Sequence, residues 1–152
     1  MGKDKIVSSR KNNTFVEKEI LIEVEKHLEF LRVYKNTLES LTKTYKLTEK
    51  NFDHGFDSTG QTGTELAKLG MKIQKYTILV ETIEKSFDSL SPEEMDVIRF
   101  KYLNQSKYNH EQVMMQLFMN RNKYYLTRAS AIYKIAMTLG LMDGIDLITK
   151  CS

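Results

Sequence analysis

Cysteine is almost missing: the one thiol in 152 residues is Cys151, next to last. A disulfide within the chain is therefore excluded, and a zinc site built on thiolates is disfavoured. Proline occurs once, at Pro92, so it can break the chain in one place only. No run reaches the roughly 20 apolar residues of a membrane span. The opening MGKDKIVSSRKNN lacks the apolar core of a signal peptide, and the expectation is a cytoplasmic protein that makes no membrane contact. Also missing are a glycine-rich phosphate loop, a His/Cys/Asp cluster at ligand spacing and a local Ser-His-Asp arrangement. The histidines are scattered: His27 in an apolar seam, His54 in a loop and His110 at a helix start. Enzymatic function is not expected, nor is a metal or other cofactor.

What is present is ordinary for a folded chain, with 41% hydrophobic and 28% charged residues. Its length suits one domain, or one small domain with a helical appendage. The net charge of +3 is unevenly spread. Residues 1–14 carry four basic side chains against Asp4. Residues 15–96 carry eleven basic and sixteen acidic side chains, whereas residues 97–138 carry seven basic ones against Glu111 alone. Such concentration in the C-terminal third suits a module that faces phosphate.

Apolar residues between 15 and 47 follow one another by four and three alternately: Ile20, Val24, Leu31, Tyr34, Leu38, Leu41 and Tyr45, with His27 as the polar member. That is a heptad seam. The alternation resumes with Leu66, Leu69, Ile73, Tyr76, Val80, Ile83, Phe87 and Leu90, with Thr64 a candidate cap. Between the two seams, HGFDSTGQTGT (54–64) reads as a flexible connection. Two such helices either fold back on each other or pair with a second chain, and a homodimer built on the hairpin is expected. Ile20, Val24, Leu31, Leu38, Leu41, Leu69, Ile73, Tyr76, Val80 and Ile83 are its expected contact residues.

A sharp boundary follows. Ser91, Pro92 and Glu94 have the spacing of a capping box with proline at the first helical position. Another helix starts near His110 with Asn109 as cap, and after the turn Phe118-Met119-Asn120 a last helix runs from Arg121 to about Leu139, where Gly140 stops it. A short helix, a tight turn and a longer helix that is basic at its start form the pattern of a DNA-binding helix-turn-helix. Tyr124, Ala131, Ile132 and Ile135 fall on its inner side. Asn120, Arg121, Asn122, Lys123, Tyr125 and Arg128 are the expected DNA contacts, joined by Lys107, Asn109 and His110 from the preceding turn. Arginine suits guanine, asparagine suits adenine, and Lys123 suits phosphate. The expected architecture is all-α: a basic arm at 1–14, a long helical hairpin or coiled coil at 15–89 with its loop at 48–63, a helix-turn-helix domain at 90–142 and a tail at 143–152.

The stretches LSPEEMDVIRFKYL (90–103) and HEQVMMQLFMNRNKYYLTRASAIYKIA (110–136) resemble the promoter-reading fourth region of primary-type sigma factors. Val113, Leu117, Asn120, Arg121, Tyr124, Ala131, Ile132 and Ile135 fall on that region's signature positions. Phe118 departs from it by replacing the usual turn glycine, Asn122 by replacing an acidic reader and Tyr125 by replacing a basic one, so the promoter preference of sigma factors does not carry over. Over residues 64–141 the chain is also similar to small phage regulators of the ArpU and RinA type, which control late genes. The resemblance rests on the Tyr124-Tyr125, Arg128-Ala129 and Leu139-Gly140 pairs. It implies an activator that binds a double-stranded operator or promoter, with RNA polymerase or a phage or host regulatory protein as a further partner. A DNA-packaging adaptor like a phage small terminase is the alternative, disfavoured because such adaptors usually place the DNA-binding part N-terminal.

Overall fold

The computed structural model describes residues 17–53 and 61–142, and it is all-helical, with no strand among those residues. The basic arm, the C-terminal tail, His54 and most of the 54–64 connection lie outside the described residues. The helices are α1 (Lys18–Glu29), α2 (Leu31–Asp53), α3 (Gln61–Ser86), α4 (Pro92–Ile98), α5 (His110–Leu117) and α6 (Arg121–Thr138). A 3-10 turn, Phe87–Ser89, follows α3, and a π-turn, Arg99–Leu103, extends α4. No helix among the described residues is long and apolar enough to cross a membrane.

The chain divides into two compact units, and the division departs from the heptad reading. Leu31–Glu81 forms one unit; the stretch up to Phe30 and the stretch from Thr82 onward form the other. The helix expected to run unbroken through residues 15–47 ends at Glu29, because Phe30 (φ −94°, ψ 2°) leaves helical geometry. The seam is redirected there. Val24 and Leu28, one turn apart, are fully buried in the C-terminal unit, where α1 packs on α6 and the π-turn. Val24 and Ile83, both expected to mediate oligomerisation, have no accessible surface; they are core residues of that unit, and Ile20, one turn before Val24 in α1, is half-buried. A heptad count cannot see that α1 has its own partner inside the chain. Burying Val24 and Leu28 contributes about 1.5–3 kcal/mol each, which is what anchors so short a helix.

In the other unit, α2 and the body of α3 lie antiparallel. Tyr34 meets Tyr76 with ring centroids 6.2 Å apart, the Tyr45 ring lies against Gly70 and the Phe52 ring against Gly63. Helix α2 continues to Asp53 and α3 starts at Gln61, so the expected loop at 48–63 is shorter than its composition suggested. Residues 48–53 contain no helix breaker, and Thr64 lies inside α3, not at its cap. Leu31 and Val80 are buried, whereas Leu38, Leu41, Tyr45, Leu66, Leu69, Ile73 and Tyr76 are only half-buried. Two helices alone cannot enclose a seam of this length.

The C-terminal unit has the caps that the sequence predicts. The Ser91 hydroxyl accepts from Glu94 N–H at 3.1 Å, and the Glu94 carboxylate accepts from Ser91 N–H at 2.8 Å. Asn109 and Gln112 form a second capping box, and Asn120 caps α6 by accepting from Lys123 N–H at 2.7 Å. Both α5 and α6 end in the same six-residue hydrogen-bonded closure: Met119 N–H to the Met114 carbonyl at 2.9 Å, and Leu141 N–H to the Ala136 carbonyl at 3.0 Å. Such a closure needs one left-handed residue. In α6 it is Gly140 (φ 76°); in α5 it is Phe118 (φ 55°), whose side chain is 95% exposed. A β-carbon at that φ costs roughly 1–2 kcal/mol, part of which glycine's greater freedom in the unfolded chain offsets. Phe118→Gly is therefore expected to raise stability by about 0.5–1 kcal/mol, measured as a shift of the urea midpoint at unchanged slope.

Candidate nucleic-acid interface

The core beneath α5 and α6 is a cluster of Val97, Val113, Met114 and Tyr124, flanked by Phe100, Tyr108, Leu117, Met119 and Tyr125. It holds the two helices and their three-residue turn in fixed relation to α4. On α6, Tyr124, Ala131, Ile132, Ile135 and Ala136 are buried, which matches the expected inner side and adds Ala136 to it. The π-turn puts Phe100 against this cluster, where it stacks on Tyr108 at 6.3 Å, and turns Tyr102 toward α1.

Arg128 was expected among the DNA readers; in the structure its side chain is largely buried and bonded within the protein. Its guanidinium donates to the Glu25 carboxylate at 2.8 Å and, through Nε, to the Tyr102 hydroxyl at 3.0 Å; its side chain is 13% exposed. Tyr102 in turn donates to the same Glu25 oxygen at 2.6 Å. Burial would raise the Glu25 carboxyl, but the hydrogen bonds from Tyr102 and Arg128 outweigh it and hold the group below the usual carboxylate range. Burial, with the Glu25 carboxylate beside it, pushes the Tyr102 phenol well up. The sequence reading missed this triad because Glu25 lies 77 positions from Tyr102 and 103 from Arg128, and position 128 looked accessible once the inner face was drawn through Tyr124 and Ala131.

His110, also expected among the DNA contacts, packs against α6. Its Nδ1 lies 2.6 Å from the Tyr124 hydroxyl, and its ring packs on Tyr124 and Tyr125 at 5.5 and 5.4 Å. Burial, reinforced by the nearby charges of Arg128 and Lys101, pulls its imidazole below the usual histidine range and so disfavours its cationic form. Burial pushes the Tyr124 phenol up to about 12. The side-chain oxygens of Asn109 and Asn120 are occupied as caps. Tyr125 is half-buried, with Arg121 and Arg128 over its ring at 5.7 and 6.0 Å.

Arg121, Asn122 and Lys123, in the first turn of α6, are exposed, and so is Lys107 in the loop before α5. Arg121 pairs with Glu111, and Lys123 with Glu93 at 3.0 Å; all four side chains are at least half exposed. Such pairs are worth about 0–1 kcal/mol and open readily. The electrostatics of the unit differ from those of the sequence third. Once α1 and the start of α4 are included, described residues 17–30 and 82–142 carry ten basic and eleven acidic side chains. The unit as a whole is therefore close to neutral, and the exposed cations of the turn and helix start are Lys107, Arg121 and Lys123, the last two offset by Glu111 and Glu93 while those pairs are closed. A second carboxylate works inside: Glu94, besides capping α4, accepts from Ser130 and from Lys134 (2.8 Å) and so ties α4 to α6.

Comparisons with known protein families, with curated proteins and with solved structures find no match to this chain.

Proposed function

We propose that the chain is a sequence-specific, double-stranded DNA-binding regulator of transcription, with α5, its turn and α6 acting as a helix-turn-helix and α6 as the recognition helix. One observation carries the reading. The N-terminal turn of α6 presents Arg121, Asn122 and Lys123 to solvent, while the core cluster and the Asn120 cap fix its direction. A recognition helix meets base edges and phosphate with those same N-terminal residues. The sigma region-four-like spacing and the similarity to ArpU- and RinA-type regulators agree with it. The half-buried seam of α2 and α3 supports a homodimer, which would present two such helices.

The test is fluorescence anisotropy with duplex DNA over a salt series. Duplex binding that weakens steeply with salt is expected, because phosphate contacts release counterions. Glu111→Gln, which frees Arg121, should tighten binding severalfold and steepen the salt dependence. No retention of any duplex at low salt would overturn the reading. Light scattering is expected to give a dimer mass; a ring of eight or more subunits would favour a DNA-packaging adaptor.

A further inference from the structure

We infer that α6 is built to read A·T base pairs, an inference that rests on the DNA-binding reading above. Opposite its buried residues, at steps of four, three and four, stand Asn122, Leu126, Ala129 and Tyr133. Asn122 is exposed, Leu126 is 43% exposed, and Ala129 and Tyr133 are half-buried. None of the four carries a charge. The outward row is thus uncharged, with a large exposed leucine in its second turn, and an apolar feature in the ligand would cover it.

The major groove offers one. Thymine projects its 5-methyl group there, which apolar side chains contact, and adenine presents the N7 acceptor and N6 donor that an asparagine amide grips with two hydrogen bonds. Guanine, with its O6 and N7 acceptors, is instead gripped by arginine or lysine. On α6 the arginines are placed elsewhere. Arg128 is held inside by Glu25 and Tyr102, and Arg121 leans toward Glu111 and across the Tyr125 ring. Asn122 therefore matches adenine, Leu126 and Ala129 match thymine methyls, and Tyr133, a turn further on, lies where the helix leaves the bases for the backbone. Lys107, Arg121 and Lys123 at the margins supply phosphate contacts without selecting a base.

The experiment is selection of bound duplexes from a random library with the full-length protein. The enriched site is then tested with deoxyuridine replacing thymidine one position at a time, which removes only the methyl group. A core of consecutive A·T pairs is expected, with at least one position where the loss of the methyl weakens binding roughly fourfold. Leu126→Ala should weaken the selected site to a similar degree and abolish the deoxyuridine effect at that position, since the contact has then already been lost. Leu126 is exposed, so the variant keeps its fold; a thermal melt checks this. A core dominated by G·C pairs, or an equal deoxyuridine effect in wild type and variant, overturns the inference while leaving DNA binding intact. Failure to enrich any duplex overturns the DNA-binding reading itself.

Discussion

Arg128→Ala is expected to destabilise the C-terminal unit by about 3–5 kcal/mol, although Arg128 lies on the helix proposed to face DNA. Removing the guanidinium leaves the Glu25 carboxylate half-buried with only the Tyr102 hydroxyl for a partner. The cost comes from that stranded charge more than from the lost attraction. Replacing the whole triad with apolar groups, Glu25→Leu and Arg128→Met with Tyr102→Phe, should accordingly recover most of the loss. The effect has a pH signature. The Glu25 carboxyl titrates below its ordinary value of 4.5 in the folded chain, so the unfolded chain binds the proton first as pH falls. The contribution is complete above about pH 5 and is lost as the pH drops through the folded-state value. Glu94 is held low by Lys134, Ser130 and Ser91 against its own burial, and it adds to the same acid limb. Urea titrations at pH 7 and pH 3 check the prediction: the gap between wild type and Arg128→Ala should be narrower at pH 3 than at pH 7. An equal gap at both values would mean that packing, not charge, sets the cost.

Leu28→Ala should have the other large effect, about 2–5 kcal/mol, against about 1 kcal/mol for Leu41→Ala. In sequence both leucines lie within one heptad-patterned stretch. In the structure Leu28 is 1% exposed and leaves a cavity among α1, α6 and the π-turn, while Leu41 sits in a half-buried seam and loses little more than transferred methylene area. Denaturation followed by circular dichroism compares the two directly. Equal losses would show that α1 belongs with the hairpin after all.

These two cases show what could be read from the sequence. Local signals were legible because their chemistry is local: the Ser91–Glu94 box, the Asn109 and Asn120 caps and the Gly140 stop each depend on residues within a few positions. The inner face of α6 was legible from periodicity, and Tyr124, Ala131, Ile132 and Ile135 are buried as expected. The alternation of four and three in α1 identified a helix but not its partner, since an apolar stripe looks the same whichever surface covers it. Charge misled in the same way. The basic excess of residues 97–138 was real along the chain, yet the fold sets α1's carboxylates into the same unit and draws Arg128 to Glu25. Leu126 went unnoticed because an exposed leucine and a core leucine are the same letter, and only the burial of its neighbours shows which way it faces.

The bond between Glu25 and Arg128 spans 103 positions, and it closes a unit that is split in two by the α2–α3 pair. On the ribosome, therefore, α1 leaves the exit tunnel long before the groups that will bury Val24 and Leu28 have been synthesised. At 5–20 residues per second this leaves α1 about 5–20 s without its docking surface. The hairpin, whose contacts lie within Leu31–Glu81, can form in that interval. The closing step must then join α1 to α6 and the π-turn, a high-contact-order event that is slow compared with helix formation. Linking the ends through a circular permutation that opens the chain at 54–60 would make α1 and α6 neighbours in sequence and speed that step.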